Sequence, residues 1–309
     1  MRAIVTGCDG FLGANLCKGL LERGHDVTGA ALSRKGKTSL DALGVDCRVE
    51  YGDILDAAYV RRIVNAYEPQ WVFHLAGVSI VRVAQADPYR AIQTNVMGTL
   101  NVLEACAGVE AVLVASSDKA YGDYGGQHYT ENMTLRPKGA YELSKALADT
   151  LARGWTYSQG RVMVTRCANL YGPGDMAWSR LVPNSCRRIA EGKPPEVHPG
   201  AWEYEREWLY VEDAVTAYIL LAEQGLAGPY NVGSGETATA GRVAETLAIY
   251  GRAPKPVEST WKISEIPAQR TSCAKIRALG WEPEKSLMMG LHWTLLWYQE
   301  YLGGTCGYY

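Results

Sequence analysis

Short apolar runs alternate with amphipathic segments along the first half of the chain. We predict strands over residues 2–6, 26–30, 71–75, 111–115 and 162–165, where apolar residues follow one another with little polar alternation. Such runs are typical of strands buried on both faces of a parallel sheet. We predict helices over residues 11–23, 91–107 and 140–155, from apolar residues at helical spacing. The order of these elements predicts an α/β fold with a Rossmann-type doubly wound parallel sheet.

The second half of the chain has a different pattern, richer in Pro, Trp and Arg. It contains one strong helical pattern over residues 211–224 and weaker ones near 240–250 and 286–301. We predict a dinucleotide-binding domain over residues 1–168, with returning segments near 208–235. We predict that residues 169–309 mainly form a smaller C-terminal substrate-binding domain at the carboxyl edge of the sheet, where ligands of parallel α/β sheets bind.

The composition excludes several classes of function. The net charge of the 309 residues is −2, without the basic stripe that nucleic-acid binding requires. No segment approaches the roughly 18 apolar residues of a membrane span, and the N-terminus does not have the pattern of a signal peptide. The eight cysteines and five histidines are scattered, without metal-ligand spacing. We therefore predict a cytoplasmic protein that binds no metal, nucleic acid or membrane.

The first predicted strand runs into a glycine-rich turn that opens a helix. Glycines at positions 7, 10 and 13 suit a dinucleotide loop, because they allow a tight turn, close approach of a pyrophosphate and close packing of helix on strand. The free N–H groups at the helix start also favour phosphate. The predicted cofactor-binding residues of this turn are Gly7, Asp9, Gly10, Phe11, Leu12 and Gly13.

The end of the second strand lacks the acid that commonly holds the ribose hydroxyls of NAD. Ser33, Arg34 and Lys35 follow it instead, and a nearby arginine can accept a 2′-phosphate. We predict NAD as the cofactor and keep NADP open, with Ser33 and Arg34 near the ribose. Asp53 and Ile54 follow the next strand end and are predicted to meet the adenine.

Tyr141 and Lys145 are four residues apart and therefore share one face of the predicted helix. A neighbouring ammonium group is expected to lower the pKa of the phenol and let it act as a base. The strand over 111–115 ends at Ser116 and Ser117, so a hydroxyl would meet the tyrosine at the carboxyl edge of the sheet. The pattern predicts a site for hydride-transfer chemistry.

Several motifs together resemble the extended short-chain dehydrogenases/reductases, the family of NAD-dependent nucleotide-sugar epimerases and dehydratases. Beside the Ser-Tyr-Lys set they are residues 6–13 (TGCDGFLG), 73–77 (FHLAG), 94–99 (TNVMGT), 169–174 (NLYGPG) and 230–235 (YNVGSG). The resemblance implies that Leu75, Ala76, Gly77 and Asn95 also contact the cofactor. It further implies a homodimer formed through the helices near 90–107 and 140–156.

The residues that follow Ser117 resemble those of CDP-glucose 4,6-dehydratases. There an Asp-Lys pair follows the serine, as Asp118 and Lys119 do here. The resemblance implies a transient oxidation at C4, with Tyr141 taking the O4 proton and Lys145 beside it. Lys119, if neutral, would remove the C5 proton, Asp118 would protonate the leaving C6 hydroxyl, and the hydride would return to C6.

The same resemblance implies contacts with a nucleotide-diphosphate hexose. Arg206 corresponds to an arginine that binds the diphosphate, which suits its planar guanidinium, and Asn169 to an asparagine at the sugar phosphate. Further predicted contacts are Ser79, Arg82, Arg180 and Leu181. Trp178, Trp202 and Trp208 are candidates either for base stacking or for core packing.

Two residues depart from the family pattern, Lys262 in place of an arginine and Ser272 in place of an acid. They leave the nucleotide and the sugar open. Two further functions also stay open, namely a 4-epimerase or 4-keto-6-deoxy-sugar reductase on the same fold, and a non-catalytic dinucleotide-sensing protein. The Asp118–Lys119 pair argues against the first, and the intact Ser-Tyr-Lys set argues against the second.

Overall fold

The computed structural model describes residues 1–34, 36–155, 160–260 and 266–303. Its central sheet has seven parallel strands in the order β10-β6-β5-β4-β1-β2-β3. They are β1 (Arg2–Thr6), β2 (Asp26–Ala31), β3 (Arg48–Tyr51), β4 (Trp71–His74), β5 (Ala111–Ala115), β6 (Arg161–Cys167) and β10 (Gly228–Val232). This order confirms the predicted doubly wound α/β fold.

Apolar layers cover both faces of the central sheet. Val5 of β1 belongs to a buried cluster with Leu16 of helix α1 (Phe11–Glu22) and Leu221 of α9 (Val211–Gln224). Its neighbour Ile4 belongs to the opposite cluster, with residues of α3 (Ala57–Tyr67), α6 (Gly98–Ala105) and α7 (Ala140–Arg153). Successive residues of a strand point to opposite faces, so these central strands are apolar throughout.

The remaining elements are mostly short or lie in the second half. They are α2 (Ser39–Leu43), α4 (Val81–Ala86), α5 (Pro88–Ile92), β7 (Asn169–Tyr171), α8 (Leu181–Ala190), β8 (Glu196–Val197), β9 (Glu205–Tyr210), β11 (Thr237–Thr239), α10 (Ala240–Tyr250), β12 (Val257–Glu258), α11 (Ala274–Arg277) and α12 (Leu287–Tyr301). Strands β11, β9 and β7 form a second sheet, and β12 pairs with β8.

The helix predicted over residues 91–107 is continuous but not uniform. A wider π-helical turn, Gln93–Met97, separates α5 from α6. Asn95 lies in this turn, and its Nδ2 donates to Ser144 Oγ over 2.8 Å while its Oδ1 accepts from the Val78 N–H over 2.7 Å. The turn therefore ties α7 to the loop after β4. Such turns often occur at functional sites.

Helix α8 is absent from the sequence prediction. Pro183 lies in its first turn, where proline is tolerated because the first helical N–H groups have no partner within the helix. Helix α9 of the second half packs on the central sheet, and strand β10 forms one edge of that sheet. The domain boundary near residue 168 stays a prediction. In the described residues, no helix has the length and apolarity to span a bilayer.

A buried ion pair supports the segment that follows β5. Arg166 and Asp149 are both fully buried, with Arg166 Nε 2.8 Å from Asp149 Oδ2 and Nη2 2.9 Å from Oδ1. Arg166 Nη1 also donates to Tyr121 Oη over 2.8 Å. Tyr121 ends the 3₁₀ turn Asp118–Tyr121, so the pair fixes the turn that carries Asp118 and Lys119.

Replacing Asp149 by Ala is expected to lower the free energy of unfolding by about 3–5 kcal/mol, because a buried guanidinium then loses its counter-ion. Urea unfolding measures this loss. Arg153→Ala is the matched control, since Arg153 contacts the same carboxylate at 2.7 Å from a partly exposed position. Its expected cost is at most about 1 kcal/mol. Equal losses in the two variants would contradict the assigned role of Arg166.

Candidate active site

A cleft of about 1340 Å³ lies at the carboxyl edge of the central sheet. The glycine turn after β1 and the segments after β4, β5 and β6 line one side. The start of α8, strand β8 and Arg206 of β9 line the other. The sheet thus faces elements of the second half across a cavity large enough for a cofactor and a substrate.

The glycine turn has the geometry of a dinucleotide loop. Gly7 has φ +70°, and a Cβ there would lie 2.8 Å from the Ala76 backbone N. A Cβ on Gly13 would lie 2.1 Å from the Gly7 carbonyl oxygen, so only glycine allows α1 to pack this closely. Gly10 caps the N-terminus of α1 and lines the cleft. The free N–H groups at this helix start fit a pyrophosphate.

At the predicted adenine end, the cleft is lined by residues from the ends of β2 and β3. Asp53 and Ile54 are among them, together with Lys37 and Thr38, which the sequence prediction missed. Thr38 caps α2 in a capping box with Asp41, a signal that is present in the sequence as Thr-x-x-Asp. The start of α2 therefore brings this part of the loop to the cleft.

The structure does not place all predicted cofactor residues on the cleft. Ser33 and Arg34 do not line it, and the Arg34 side chain is 74% exposed and lies 3.9 Å from Asp41. Lys35 lies outside the described residues. Asn95 is buried behind the cleft, where it holds Val78 and Ser144. The other predicted cofactor residues all line it: Gly7, Asp9, Gly10, Phe11, Leu12, Gly13, Asp53, Ile54, Leu75, Ala76, Gly77, Tyr141 and Lys145.

The five predicted catalytic residues converge at the middle of the cleft. Ser117, Asp118 and Lys119 come from the end of β5 and the 3₁₀ turn, and Tyr141 and Lys145 come from the first turns of α7. Ser117 Oγ donates to Asp118 Oδ1 over 3.1 Å and accepts from the Lys119 N–H over 3.2 Å. The turn thus fixes an acid and an amine beside a phenol.

Burial dominates the titration of Tyr141 and Lys145. Burial raises the pKa of the Tyr141 phenol to about 12, with a smaller opposite effect of Ser117. Burial also lowers the pKa of the Lys145 ammonium to about 8. Lys145 Nζ donates to the Ala115 carbonyl oxygen over 2.8 Å. The phenol pKa is therefore raised in this arrangement and not lowered as expected, because desolvation of the phenolate outweighs the lowering by Ser117 and Arg180.

Asp118 and Lys119 differ in their surroundings. Burial raises the pKa of the Asp118 carboxyl to about 6, while neighbouring Lys119 lowers it and Glu207 raises it. Lys119 is half-buried, and its Nζ donates to Gln269 Oε1 over 3.2 Å. An acid with a pKa near 6 can both give and take a proton near neutral pH.

All predicted substrate-binding residues line the cleft, but they differ in how they are held. Arg206 is buried and donates to the Glu205 carbonyl oxygen over 2.7 Å. Arg180 Nη1 lies 2.6 Å from Asp175, which fixes it at the start of α8. Asn169 Nδ2 donates to the Glu207 carbonyl oxygen over 3.2 Å. The remaining residues of the set are Ser79, Arg82 and Leu181, of which Ser79 and Arg82 are exposed.

The three tryptophans separate into different roles. Trp208 is buried, donates to the Ala238 carbonyl oxygen and also lines the cleft, whereas Trp202 does not line it. Trp178 lines it and also packs on Tyr298. Ser272 pairs through its backbone with Tyr129 and Asn231, away from the cleft. Lys262 lies outside the described residues.

The sequence prediction assigned no role to two polar residues at the site. Ser116 Oγ is buried on the cleft wall without a hydrogen-bond partner among the described residues. A buried hydroxyl of this kind fits a polar group of a ligand. Gln269 contacts both Asp118 and Lys119 from a distant segment. No cluster of metal-ligating side chains occurs in the described ranges.

Comparisons with known proteins agree with this geometry. Residues 3–233 match the model of the NAD-dependent epimerase/dehydratase family. A dTDP-glucose 4,6-dehydratase of Salmonella typhimurium is 30% identical, over 96% of this chain and 92% of the relative. A dTDP-glucose 4,6-dehydratase of Streptomyces venezuelae, solved with NAD bound, has a TM-score of 0.90 at 28% identity and 98% coverage of each chain.

Epimerases of the same fold are also similar. A UDP-glucose 4-epimerase of Thermus thermophilus, solved with NAD, has a TM-score of 0.87 at 30% identity, over 97% of this chain and 99% of that chain. The family match over residues 3–233 includes both the glycine turn and the Ser-Tyr-Lys set, and it confirms the resemblance predicted from the motifs. The similar structures solved with NAD confirm NAD as the cofactor. The chain belongs to the NAD-dependent epimerase/dehydratase family.

Proposed function

We propose that the protein is a nucleotide-hexose 4,6-dehydratase of the CDP-glucose 4,6-dehydratase type. The observation that carries the proposal is the position of Asp118 and Lys119 beside Ser117, Tyr141 and Lys145 on one cleft wall. An acid and an amine in that place suit the removal of water across two neighbouring carbons. The 30% identical dTDP-glucose 4,6-dehydratase supports the reaction class.

Tyr141, Ser117 and Lys145 serve the oxidation at C4. Tyr141 takes the O4 proton, and Ser117 holds O4 by a hydrogen bond. When bound, the nicotinamide would supply a hydride acceptor for C4, a hydride donor for C6 and a positive charge that would favour the phenolate. Lys145, a buried residue of α7, orients the sugar-side polar groups of the cofactor through its donors.

Asp118 and Lys119 serve the loss of water. The C4 ketone makes the C5 hydrogen acidic, and neutral Lys119 takes it as a proton. Asp118 gives a proton to the C6 hydroxyl, which leaves as water. The raised pKa of the Asp118 carboxyl, caused mainly by burial, keeps a protonated fraction near neutral pH.

The opposite wall of the cleft suits a nucleotide diphosphate. Arg206 and Arg180 offer guanidinium groups, and the start of α8 offers N–H groups to phosphate. We propose that these groups, with Asn169, hold the diphosphate. The departures at Lys262 and Ser272 leave the base and the sugar open, and the Asp118–Lys119 pair makes CDP-glucose the first substrate to test.

A second candidate function is a nucleotide-sugar 4-epimerase, favoured by the similar Thermus thermophilus enzyme. A 4-keto-6-deoxy-sugar reductase uses the same fold. Both need the Ser-Tyr-Lys set but neither needs an acid and an amine beside C5 and C6. A non-catalytic dinucleotide-sensing protein needs no catalytic set.

Incubation with CDP-, dTDP-, UDP- and GDP-glucose decides between these functions. We expect a product lighter by one water that carries a C4 ketone, formed fastest from CDP-glucose. An epimerised hexose of unchanged mass would establish the epimerase instead. No turnover with any sugar nucleotide, despite bound NAD, would favour the sensing protein.

We also propose a homodimer formed through α4, α5 and α7. Exposed apolar side chains lie on these helices and the π turn, namely Val83, Tyr89, Met97, Leu143 and Leu147. Leu147→Glu is expected to give a monomer in sedimentation equilibrium, because it buries a charge in the interface. Leu226→Glu is the control, since Leu226 is 69% exposed away from these helices. A dimer that survives Leu147→Glu would contradict this interface.

A further inference from the structure

A buried glutamine joins the two side chains that we propose for the elimination, although it does not line the cleft. Gln269 is fully buried. Its Nε2 donates to Asp118 Oδ2 over 3.2 Å, and its Oε1 accepts from Lys119 Nζ over 3.2 Å. One amide therefore bridges the acid and the amine, from a position 151 residues away from Asp118 in the sequence.

The segment that carries Gln269 is held on both sides by backbone hydrogen bonds. Gln269 N–H donates to the Glu205 carbonyl oxygen over 3.1 Å, and Tyr129 N–H donates to the Arg270 carbonyl oxygen over 2.7 Å. Thr271 Oγ1 donates to Glu207 Oε2 over 2.7 Å. The backbone of Gln269 is fixed in this way, so its side chain has only its own torsions with which to respond to the pair.

The chemistry of the pair determines the orientation of the amide. An ammonium only donates and a carboxylate only accepts, so charged Lys119 faces Oε1 and ionised Asp118 faces Nε2. If one proton moves from Lys119 to Asp118, the opposite orientation satisfies both groups. Protonated Asp118 then donates to Oε1, and Nε2 donates to the lone pair of the neutral Lys119 amine. Half a turn of the terminal amide exchanges the two arrangements.

We propose that Gln269 is a positioning residue whose amide allows one proton to be held by either Lys119 or Asp118. This inference rests on the proposed 4,6-dehydratase function. Elimination uses the arrangement with the proton on Asp118 and a neutral Lys119. An aliphatic side chain at position 269 would satisfy neither arrangement, and an acid would favour the charged Lys119.

The elimination balances with these residues. Lys119 takes the C5 proton, and the electron pair of that C–H bond forms the C5–C6 double bond. The C6–O bond breaks, and its oxygen takes the proton of Asp118 and leaves as water. Lys119 is then an ammonium and Asp118 a carboxylate, the arrangement that the amide orientation in this structure matches. Lys119 returns its proton to C5 when the hydride reaches C6, and solvent reprotonates Asp118.

Other groups also act on the titration of Asp118. The charged or titratable neighbours of its carboxyl, besides Lys119, are Glu207, Arg206, Tyr129, Tyr141 and Cys167. They stay in place when only residue 269 is changed. A difference between variants at this position therefore reports the amide itself.

Gln269→Met and Gln269→Glu test the inference with CDP-glucose and dTDP-glucose as probes. Single-turnover measurements separate loss of the C4 hydrogen from loss of water. In Gln269→Met we expect water loss to slow about 10- to 100-fold, part of what acid–base catalysis contributes, with C4 oxidation near the wild-type rate. Gln269→Glu is expected to slow it further at neutral pH and to recover as the pH falls, because only its protonated form can donate.

Arg270→Ala is the matched control, because it removes an ion pair with Glu205 on the same segment without contacting the pair. We expect it to keep the wild-type ratio of water loss to oxidation and the wild-type pH profile. If Gln269→Met behaves as Arg270→Ala does, the inference is overturned. A purely structural role would not produce the pH-dependent recovery of Gln269→Glu.

A titration of Asp118 by carbon-13 NMR tests the bridge independently of turnover. Gln269→Met removes a donor to the carboxylate, so the pKa of Asp118 is expected to rise relative to wild type. An unchanged pKa would overturn the inference. If wild type removes water from neither probe, the proposed function fails, and the titration still decides whether Gln269 controls the pair.

Discussion

Replacing Asp118 by Asn is expected to slow water loss by about 10²- to 10⁴-fold, the usual contribution of a general acid, while C4 oxidation stays near the wild-type rate. Asn has the shape of Asp and can still accept from Ser117, but it has no proton to give to the C6 hydroxyl. Mass spectrometry measures water loss, and removal of a deuterium label from C4 measures the oxidation.

The pH dependence gives a second measure of the same role. The pKa of Asp118 is raised to about 6, chiefly by burial. Its protonated fraction falls as the pH rises through that value, so wild-type water loss should decline on the alkaline side. Asp118→Asn should abolish this decline, because its amide does not titrate.

A neighbouring acid provides the control. Asp123 follows the 3₁₀ turn, accepts from the Gly125 N–H and does not line the cleft. Asp123→Asn should leave both steps unchanged. If Asp118→Asn loses water as fast as Asp123→Asn, Asp118 is not the acid.

Replacing Tyr141 by Phe is expected to slow the C4 oxidation itself by about 10²- to 10⁴-fold, since the proton acceptor for O4 is lost. Because water loss depends on the C4 ketone, both steps should fall together. Asp118→Asn separates the two steps, so the pair of variants assigns each residue to its step. Calorimetric titration with NAD should show that binding persists, because the glycine turn is unchanged.

The raised pKa of Tyr141 explains why its phenol needs the bound cofactor in order to act as a base. Its pKa is about 12 in the protein alone, because burial opposes the phenolate. The proposed positive charge of the bound cofactor acts in the other direction. Tyr129→Phe is the control, because Tyr129 is buried nearby, donates to the Gly122 carbonyl oxygen and does not line the cleft. Oxidation that continues in Tyr141→Phe would contradict its role.

Local sequence patterns determined much of the fold. The apolar run of residues 2–6 and the glycines at 7, 10 and 13 predicted β1, its turn and α1, because each depends on neighbours within a few residues. Helix α9 begins and ends where its pattern predicted. Helix α8 was not predicted, because the proline in its first turn argued against a helix there. The apolar periodicity of residues 91–107 did not distinguish the π turn from an α-helix.

Some features of the candidate site follow from the sequence alone, and others arise only in the tertiary structure. The sequence by itself determined that Asp118 and Lys119 are neighbours, and that Tyr141 and Lys145 share a helix face, because both follow from chain connectivity and helical spacing. Only the tertiary structure decided that Arg34 turns to Asp41, that burial keeps the phenol pKa high, and that Gln269 bridges the pair. Those features depend on which distant segments meet and how much water they exclude, and no local pattern encodes either.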